Sequence, residues 1–142
     1  ANIIKHATEE LILIDKFVGD EVTADLALLL KKNVNIQRIT LRGNCIGPQG
    51  AMALAGMLEE NTTVQSLSLE WNQVGSSGAS AIAAALTKNQ TLTHLDLRNN
   101  GVGDEGAAAI ANALRLNNHV NSVDLRWNVI GDKGAQAFEE IV

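Results

Sequence analysis

Gly101-Val102-Gly103-Asp104-Glu105-Gly106 spells GxGxxG in a chain of 142 residues. An alternating stretch precedes it and a helical pattern follows. Asp124 falls about twenty residues on, where a ribose-binding acid would sit, so on paper this is a dinucleotide fingerprint. A second chemistry is offered by Asp96 and Asp124. Paired carboxylates can do acid/base work. Arg98 and Arg126 stand two residues along from them, which reads instead as a neutralised ladder. His6, His94, His119 and the single Cys45 complete the inventory of ligating and nucleophilic groups. Trp71 and Trp127 are the only tryptophans, and Trp and Arg are the residue types that most often anchor interfaces.

The elements that must position these residues follow one rule. The stretch from Leu92 to His119 returns when shifted by 28 residues either way. Copies begin at Ile36, Val64 and Val120, and a fainter one at Thr8. The units are 8–35, 36–63, 64–91, 92–119 and 120–142, preceded by a cap remnant at 1–7. A fixed period of this length means a stacked array rather than a single central core. It also explains the glycine motif. Gly103 has copies at Gly19, Gly47, Gly75 and Gly131, and Gly106 at Gly50, Gly78 and Gly134. Only Gly101 is unique, so the repeat accounts for the match without a nucleotide. The three histidines occupy different repeat positions and form no metal set. Cys45 lies far in register from His94, against a Cys/His nucleophile. No cofactor, metal or catalytic residue is expected.

Each unit changes period internally. Leu95 and Leu97 alternate, as in a short strand with one buried face. Ile110 and Leu114 lie four apart among alanines, as in a helix. Gly103-Asp104-Glu105 suits the helix start, and Pro48 is tolerated in a first turn. Asn33, Asn61, Asn89 and Asn117 are expected to close the helices as left-handed residues. The small column Ala51, Ala79, Ala107 and Ala135 lets parallel helices stack closely. Leu41, Leu69, Leu97 and Leu125 form a core column, with Ile39, Leu67, Leu95 and Val123 beside it. Asn44, Asn72, Asn100 and Asn128 form a third, whose amides suit the backbone of adjacent turns. The fold class is therefore α/β: a right-handed solenoid of five 28-residue β-α units, with a parallel sheet on the concave face and helices on the convex face.

LxxLxLxxN, then a glycine and a helix, at this period resembles the leucine-rich repeat. The unit length and GAxxLAxAL-type helix resemble the ribonuclease-inhibitor-like subfamily. The repeat regions of intracellular nucleotide-binding oligomerisation-domain receptors of innate immunity are similar. The resemblance covers 8–142. It implies a non-catalytic protein-binding module of a larger cytoplasmic sensor or regulatory protein. Ran GTPase-activating proteins also resemble this subfamily, which would give Arg42, Arg98 or Arg126 a role against a bound GTPase. A structural spacer is the third alternative.

Composition narrows the partner. A net charge of -5 argues against nucleic acid or an anionic membrane as the main partner. No apolar run is long enough to span a bilayer. One cysteine makes no internal disulfide, and the cysteine-rich caps of extracellular relatives are missing, so an intracellular location is expected. Asn61-Thr62-Thr63 and Asn89-Gln90-Thr91 match the glycosylation sequon, but both asparagines belong to the helix-closing column. The chain begins without Met, as expected of a processed or excised piece.

The partner is expected to be another protein, met on the sheet face. Strand positions opposite the leucines read Arg38, Ser66, His94, Ser122; then Thr40, Ser68, Asp96, Asp124; then Arg42, Glu70, Arg98, Arg126. At the strand exit stand Gly43, Trp71, Asn99 and Trp127. Two strand spacings put the tryptophans about 10 Å apart, with Asn99 leaving a notch between them for an apolar side chain. Glu70, Asp96 and Asp124 would hold Arg98 and Arg126 extended for a partner carboxylate. The first unit departs from the pattern, with Lys16 for the asparagine and Val22 for the glycine. Its Ile12, Ile14 and Phe17 are either cap packing or an apolar contact patch. Phe138 and Val142 fall in core columns of the last helix with no following unit, so a sticky end is expected, from self-association or from truncation of a longer parent.

Overall fold

The computed structural model describes residues 9–139. The cap remnant expected at 1–7 and Val142 lie outside them. Five short strands alternate with five helices: β1 Glu10–Ile12, α1 Gly19–Leu30, β2 Arg38–Thr40, α2 Pro48–Glu60, β3 Ser66–Ser68, α3 Gly75–Leu86, β4 His94–Asp96, α4 Gly103–Leu116, β5 Ser122–Asp124 and α5 Asp132–Glu139. The strands form one parallel sheet in sequence order. Each pairs with the next exactly one repeat on, Leu67 opposite Leu95 and Asp96 opposite Asp124. Helices pack on the helices of adjacent turns. Helices need about 8–10 Å of lateral room where strands need about 4.8 Å, so the stack bends with the sheet inside.

The core is the set of columns between sheet and helices. Leu41, Leu69 and Leu97 are fully buried, as are Leu54, Ile82 and Ile110 from the helices and Ile46, Val74 and Val102 from the turns. Each such side chain stabilises by about 1.5–3 kcal/mol relative to exposure. In the last turn, Val123, Leu125, Ile130 and Phe138 are only partly buried against this core.

The strand-exit asparagines knit successive turns together. Asn100 Nδ2 donates to Leu69 O of the preceding turn at 2.8 Å, and its Oδ1 accepts from Val74 N at 3.2 Å. Asn72 does the same with Leu41 O at 2.9 Å and Asn44 N at 2.9 Å. Asn128 reaches Leu97 O at 2.7 Å and Asn100 N at 2.7 Å. All are buried. The bonds from Val102 N to Asn128 Oδ1 and from Gly103 N to Asn128 O also occupy donors that a pyrophosphate would need in the glycine motif.

The helix-closing asparagines differ from expectation. None has a positive φ; Asn61 sits at φ -75°, ψ 135° and Asn117 at φ -130°, ψ 116°. They form a second ladder instead. Asn89 Nδ2 donates to Leu58 O at 2.8 Å and Asn61 O at 3.2 Å, while its Oδ1 accepts from Thr91 N and Leu92 N. Asn61 bonds Leu30 O at 2.7 Å and Asn33 O at 3.3 Å. An extended backbone aims the amide at the preceding helix end, whose last carbonyls lack partners. Both sequon asparagines are thus buried with their nitrogens engaged, and the folded chain presents neither for glycosylation.

The first-turn acids also act across turns. Asp104 Oδ1 accepts from Gly131 N at 2.6 Å and Gly134 N at 3.2 Å, and Asp20 serves Gly47 N and Gly50 N in the same way. Each satisfies the start of the following helix rather than its own. The glycine three residues into α4 is set by this close approach. A Cβ on Gly106 would lie 2.6 Å from Val102 Cγ1 and 3.1 Å from Ala79 Cβ. Val22, the side chain in that column in α1, is half exposed.

Asn100→Ala and Asn89→Ala are each expected to lower stability by roughly 1–3 kcal/mol, because buried carbonyls and amides of two turns lose their mate. Denaturant unfolding measures it. A loss of only a few tenths would show that water reaches these groups.

Candidate protein-binding surface on the sheet

The side chains opposite the leucines line the inside of the array. Ser66, His94 and Ser122 are in register across β3, β4 and β5, and Ser68, Asp96 and Asp124 form the next row. Together with Leu95 they line a recess of about 220 Å³. His94 is exposed, and its Nδ1 lies 2.8 Å from Thr93 Oγ1. Among the described residues no three of His, Cys, Asp and Glu cluster as metal ligands.

Beyond that row the arginines are not extended. Arg98 folds back on Asp96, with Nε 3.0 Å from each carboxylate oxygen and Nη2 2.7 Å from Oδ2. Its Nη2 also bonds Glu70 Oε2 at 3.2 Å, and Nε stands 3.6 Å from Asp124 Oδ2. Arg126 chelates Asp124 in the same manner, with Nη2 2.7 Å from Oδ2. The two-residue spacing puts both side chains on one face of one strand, so the guanidinium fork meets its own strand's acid. Asp96 and Asp124 are thus neutralised individually, and the forks are already occupied. Arg42 is exposed, and its guanidinium makes no hydrogen bond or ion pair among the described residues.

The acids that share a proton on this surface are Glu70 and Asp96, rather than the expected pair Asp96 and Asp124. Glu70 is 6% exposed. Burial, then the hydrogen bond and charge of Asp96, push its carboxyl up from 4.5 to about 7 against the pull of Arg98. Asp96 is pushed up by burial, but hydrogen bonds from Arg98 and Glu70 outweigh this and hold it below its ordinary value. Glu70 therefore carries the shared proton. Its Oε2 accepts from Arg98 Nη2 of the following turn at 3.2 Å. The available sequence signal was an acid in a column otherwise filled by Arg42, Arg98 and Arg126.

Trp71 and Trp127 stand at the strand exits, 51% and 62% exposed. The expected notch is closed. Their ring centroids are 6.4 Å apart and tilted by 49°, so no side chain passes between the rings. The backbones are two strand spacings apart, but the indoles lean together over Asn99. Arg126 lies over Trp127 with its guanidinium carbon 5.6 Å from the ring centre. Both tryptophans have positive φ, 60° and 63°, as do Asp15, Gly43 and Asn99 in the same column. The turn demands a left-handed residue, which Gly, Asn and Asp adopt readily and bulky residues do not. Ile12, Ile14 and Phe17 of the first turn are exposed as well, at 55%, 41% and 83%.

Glu70 makes stability depend on pH. Between about 4.5 and about 7 the folded chain holds a proton that the unfolded chain has released, so stability falls as pH rises through this window. Asp96 and Asp124, both held low, act in the opposite sense, losing their contribution as pH falls below 3.8. Glu70→Gln is expected to flatten the upper slope by about 1–2 kcal/mol, allowing for screening. Urea melts at a series of pH values measure it, and parallel slopes in the two proteins would refute the shared proton.

Comparison with known proteins places this architecture. A profile of the leucine-rich repeat family matches residues 32–55, 60–83, 88–111 and 116–138. Among solved structures, leiomodin-1 actin-binding site 2 superposes with a TM-score of 0.83 at 22% identity, covering 99% of this chain and 83% of that one. The C-terminal domain of tropomodulin from Caenorhabditis elegans gives 0.81 at 14% identity, covering 99% and 86%. A search of curated protein sequences gives no significant match. At these identities the two structures speak to fold alone. The repeat profile spans more than half of the chain, which therefore belongs to the leucine-rich repeat family.

Proposed function

We propose that this chain is a protein-interaction module without catalytic activity of its own, and that a protein partner docks on the sheet face and its tryptophan-bearing rim. The observation that carries the reading is the conformation of Trp71 and Trp127. Both are exposed, and both are held at a positive φ that Gly43 and Asn99 fill more easily in neighbouring turns. A bulky residue there costs on the order of 1 kcal/mol or more, and such strain gathers at functional positions. Neither indole sits in a core column, so the fold gains little from it. The core columns are nearly uniform from turn to turn, while His94, Asp96, Asp124, Arg42, Glu70, Arg98 and Arg126 vary the rows of the sheet face. The leiomodin structure of like fold is named for an actin-binding site, which supports a protein-binding use of this scaffold.

A finer form of the proposal makes the chain part of a larger intracellular regulatory or sensor protein, as in the ribonuclease-inhibitor-like repeats. The GTPase-activating alternative needs an arginine free to reach a nucleotide. Arg98 and Arg126 are chelated by Asp96 and Asp124, which leaves Arg42 for that role. A single-turnover GTPase assay whose rate is unchanged by added chain removes this alternative.

Trp71→Gly combined with Trp127→Gly is expected to leave circular dichroism unchanged and the melting midpoint equal or higher. The same variant, immobilised, is expected to lose capture of the protein partner from cell extract, since central anchors of this kind carry about 2 kcal/mol or more. Undiminished capture would place docking elsewhere, with the Ile12, Ile14 and Phe17 patch next in line. Unfolding would make the indoles structural.

A further inference from the structure

The glycine that opens each helix occurs in two states, and the residue one repeat earlier separates them. Gly19, Gly75 and Gly103 have φ of 71°, 69° and 68° and are the first residues of α1, α3 and α4. Their amides donate forward, to Asn44 O, Asn100 O and Asn128 O of the following turn, at 2.8, 2.9 and 3.1 Å. Gly47 and Gly131 are not left-handed. Gly47 has φ -98° and ψ -164°, and α2 and α5 begin one residue later, at Pro48 and Asp132. Their amides donate backward, to Asp20 Oδ1 and Asp104 Oδ1, at 2.6 Å each. Nothing in a glycine's own turn sorts the two states. Gly131 is followed by aspartate, as Gly19 and Gly103 are, so a following proline is not what an extended glycine needs. Gly47 has Asn72 ahead of it and still turns back, so want of a forward acceptor is not the cause either. What Gly47 and Gly131 share is an aspartate 27 residues earlier. Gly75 has Pro48 at that place and Gly103 has Ser76.

We propose that the fourth turn is a two-state conformational switch with position 76 as its control: a carboxylate there draws the Gly103 N–H back, turns Gly103 from the left-handed to the extended region, starts α4 one residue later and releases the Asn128 carbonyl. Glycine reaches both regions at little cost, so one charge-assisted hydrogen bond is enough to choose between them. The reach is already in place. Ser76 Cα stands 3.4 Å from where a Cβ on Gly106 would lie, as Asp20 Cα stands 3.4 Å from one on Gly50 and Asp104 Cα 3.2 Å from one on Gly134. Ser76 is half-buried, and its hydroxyl makes no hydrogen bond among the described residues, so no side-chain bond is lost when it is replaced. A negative charge also suits the first turn of α3. The bond given up ties Asn128, the residue after Trp127, to the fourth turn. The switch therefore reaches the tryptophan-bearing rim, and it holds whether or not a partner docks there.

Alanine reads the state of Gly103, because an L side chain is strained at its positive φ while nothing lies within 4 Å of the added Cβ. In the parent chain Gly103→Ala is expected to raise the unfolding equilibrium constant about fivefold or more, measured by urea unfolding. On a Ser76→Asp background most of that penalty is expected to vanish, and on a Ser76→Ala background it stays whole. Gly101→Ala is the internal control. Gly101 is also left-handed with nothing near its Cβ, but no aspartate contact reaches its column, so its penalty is the same in all three backgrounds. A crystal structure of Ser76→Asp is expected to show Gly103 at a negative φ with its amide on the new carboxylate. Should that variant fold poorly, Ser76→Asn offers an amide oxygen of the same reach and carries the same expectation. An equal Gly103→Ala penalty on the parent and acceptor-bearing backgrounds, or a Gly103 that stays left-handed in the structure, overturns the proposal. So does a Gly101→Ala penalty that falls alongside, since the acid would then act on the turn as a whole and not on Gly103.

Discussion

The structure depends on one interaction made many times over: a buried asparagine amide bonded to the backbone of the preceding turn. An amide offers two donors and an acceptor in one plane. The Nδ2 group of Asn100 takes the Leu69 carbonyl one turn back, and its Oδ1 takes the Val74 amide as that turn leaves the sheet. Asn89 and its copies do the same at the helix ends. Strand pairing alone spans three residues per turn of the array. The backbone on either side continues the turn-to-turn pairing, as in Leu69 N to Asp96 O and Trp71 N to Arg98 O, but groups such as Leu69 O and Val74 N are met by asparagine amides, and burying them unpaired would be costly. The two ladders satisfy those stretches and fix the register of every turn against the last.

That constraint reaches the surface. Because Asn72 and Asn128 must turn inward at the strand exits, the residue just before each is forced into the left-handed region. Glycine, asparagine or aspartate stands there in three turns and tryptophan in two. The same geometry that strains Trp71 and Trp127 throws their indoles outward and lets them meet across Asn99. The helices are held by a parallel device. Asp20 and Asp104 satisfy the start of the next helix, and glycine in the facing column admits the close approach. Register, helix spacing and the pose of the rim are all consequences of contacts between turns, as stability is in a stacked array.

Electrostatics on the sheet face is also settled between neighbours. Arg98 and Arg126 are drawn onto Asp96 and Asp124 by a two-residue spacing within one strand, a local effect. Glu70 is drawn in by the turn that follows. Its burial and its proton come from Asp96 and Arg98, 26 and 28 residues away in sequence but adjacent across the sheet. The surface a partner meets is therefore nearly charge-balanced around the tryptophans, with the forks of Arg98 and Arg126 committed and the indole donors free.

The 28-residue period, read from residues alone, determined the α/β solenoid, the parallel order of strands and the membership of the core columns. These are properties of a repeat: where every unit has the same pattern, Leu97 can bury itself only against Leu69 and Leu125. The period also exposed the GxGxxG stretch as repeat punctuation, since Gly103 and Gly106 have copies, Gly103 N donates to Asn128 O, and Gly106 leaves room for the neighbouring helix. What the sequence left open was what non-repeating side chains do once stacked. Asn61 and Asn117 were expected to be left-handed caps, yet the carbonyls of the preceding helix reward an extended backbone. The tryptophans were expected about 10 Å apart because strand spacing fixes backbones, whereas torsions fixed the rings at 6.4 Å. Glu70 gave no sign of its proton, because a carboxyl's affinity is set by burial and by charges brought close only when the turns stack.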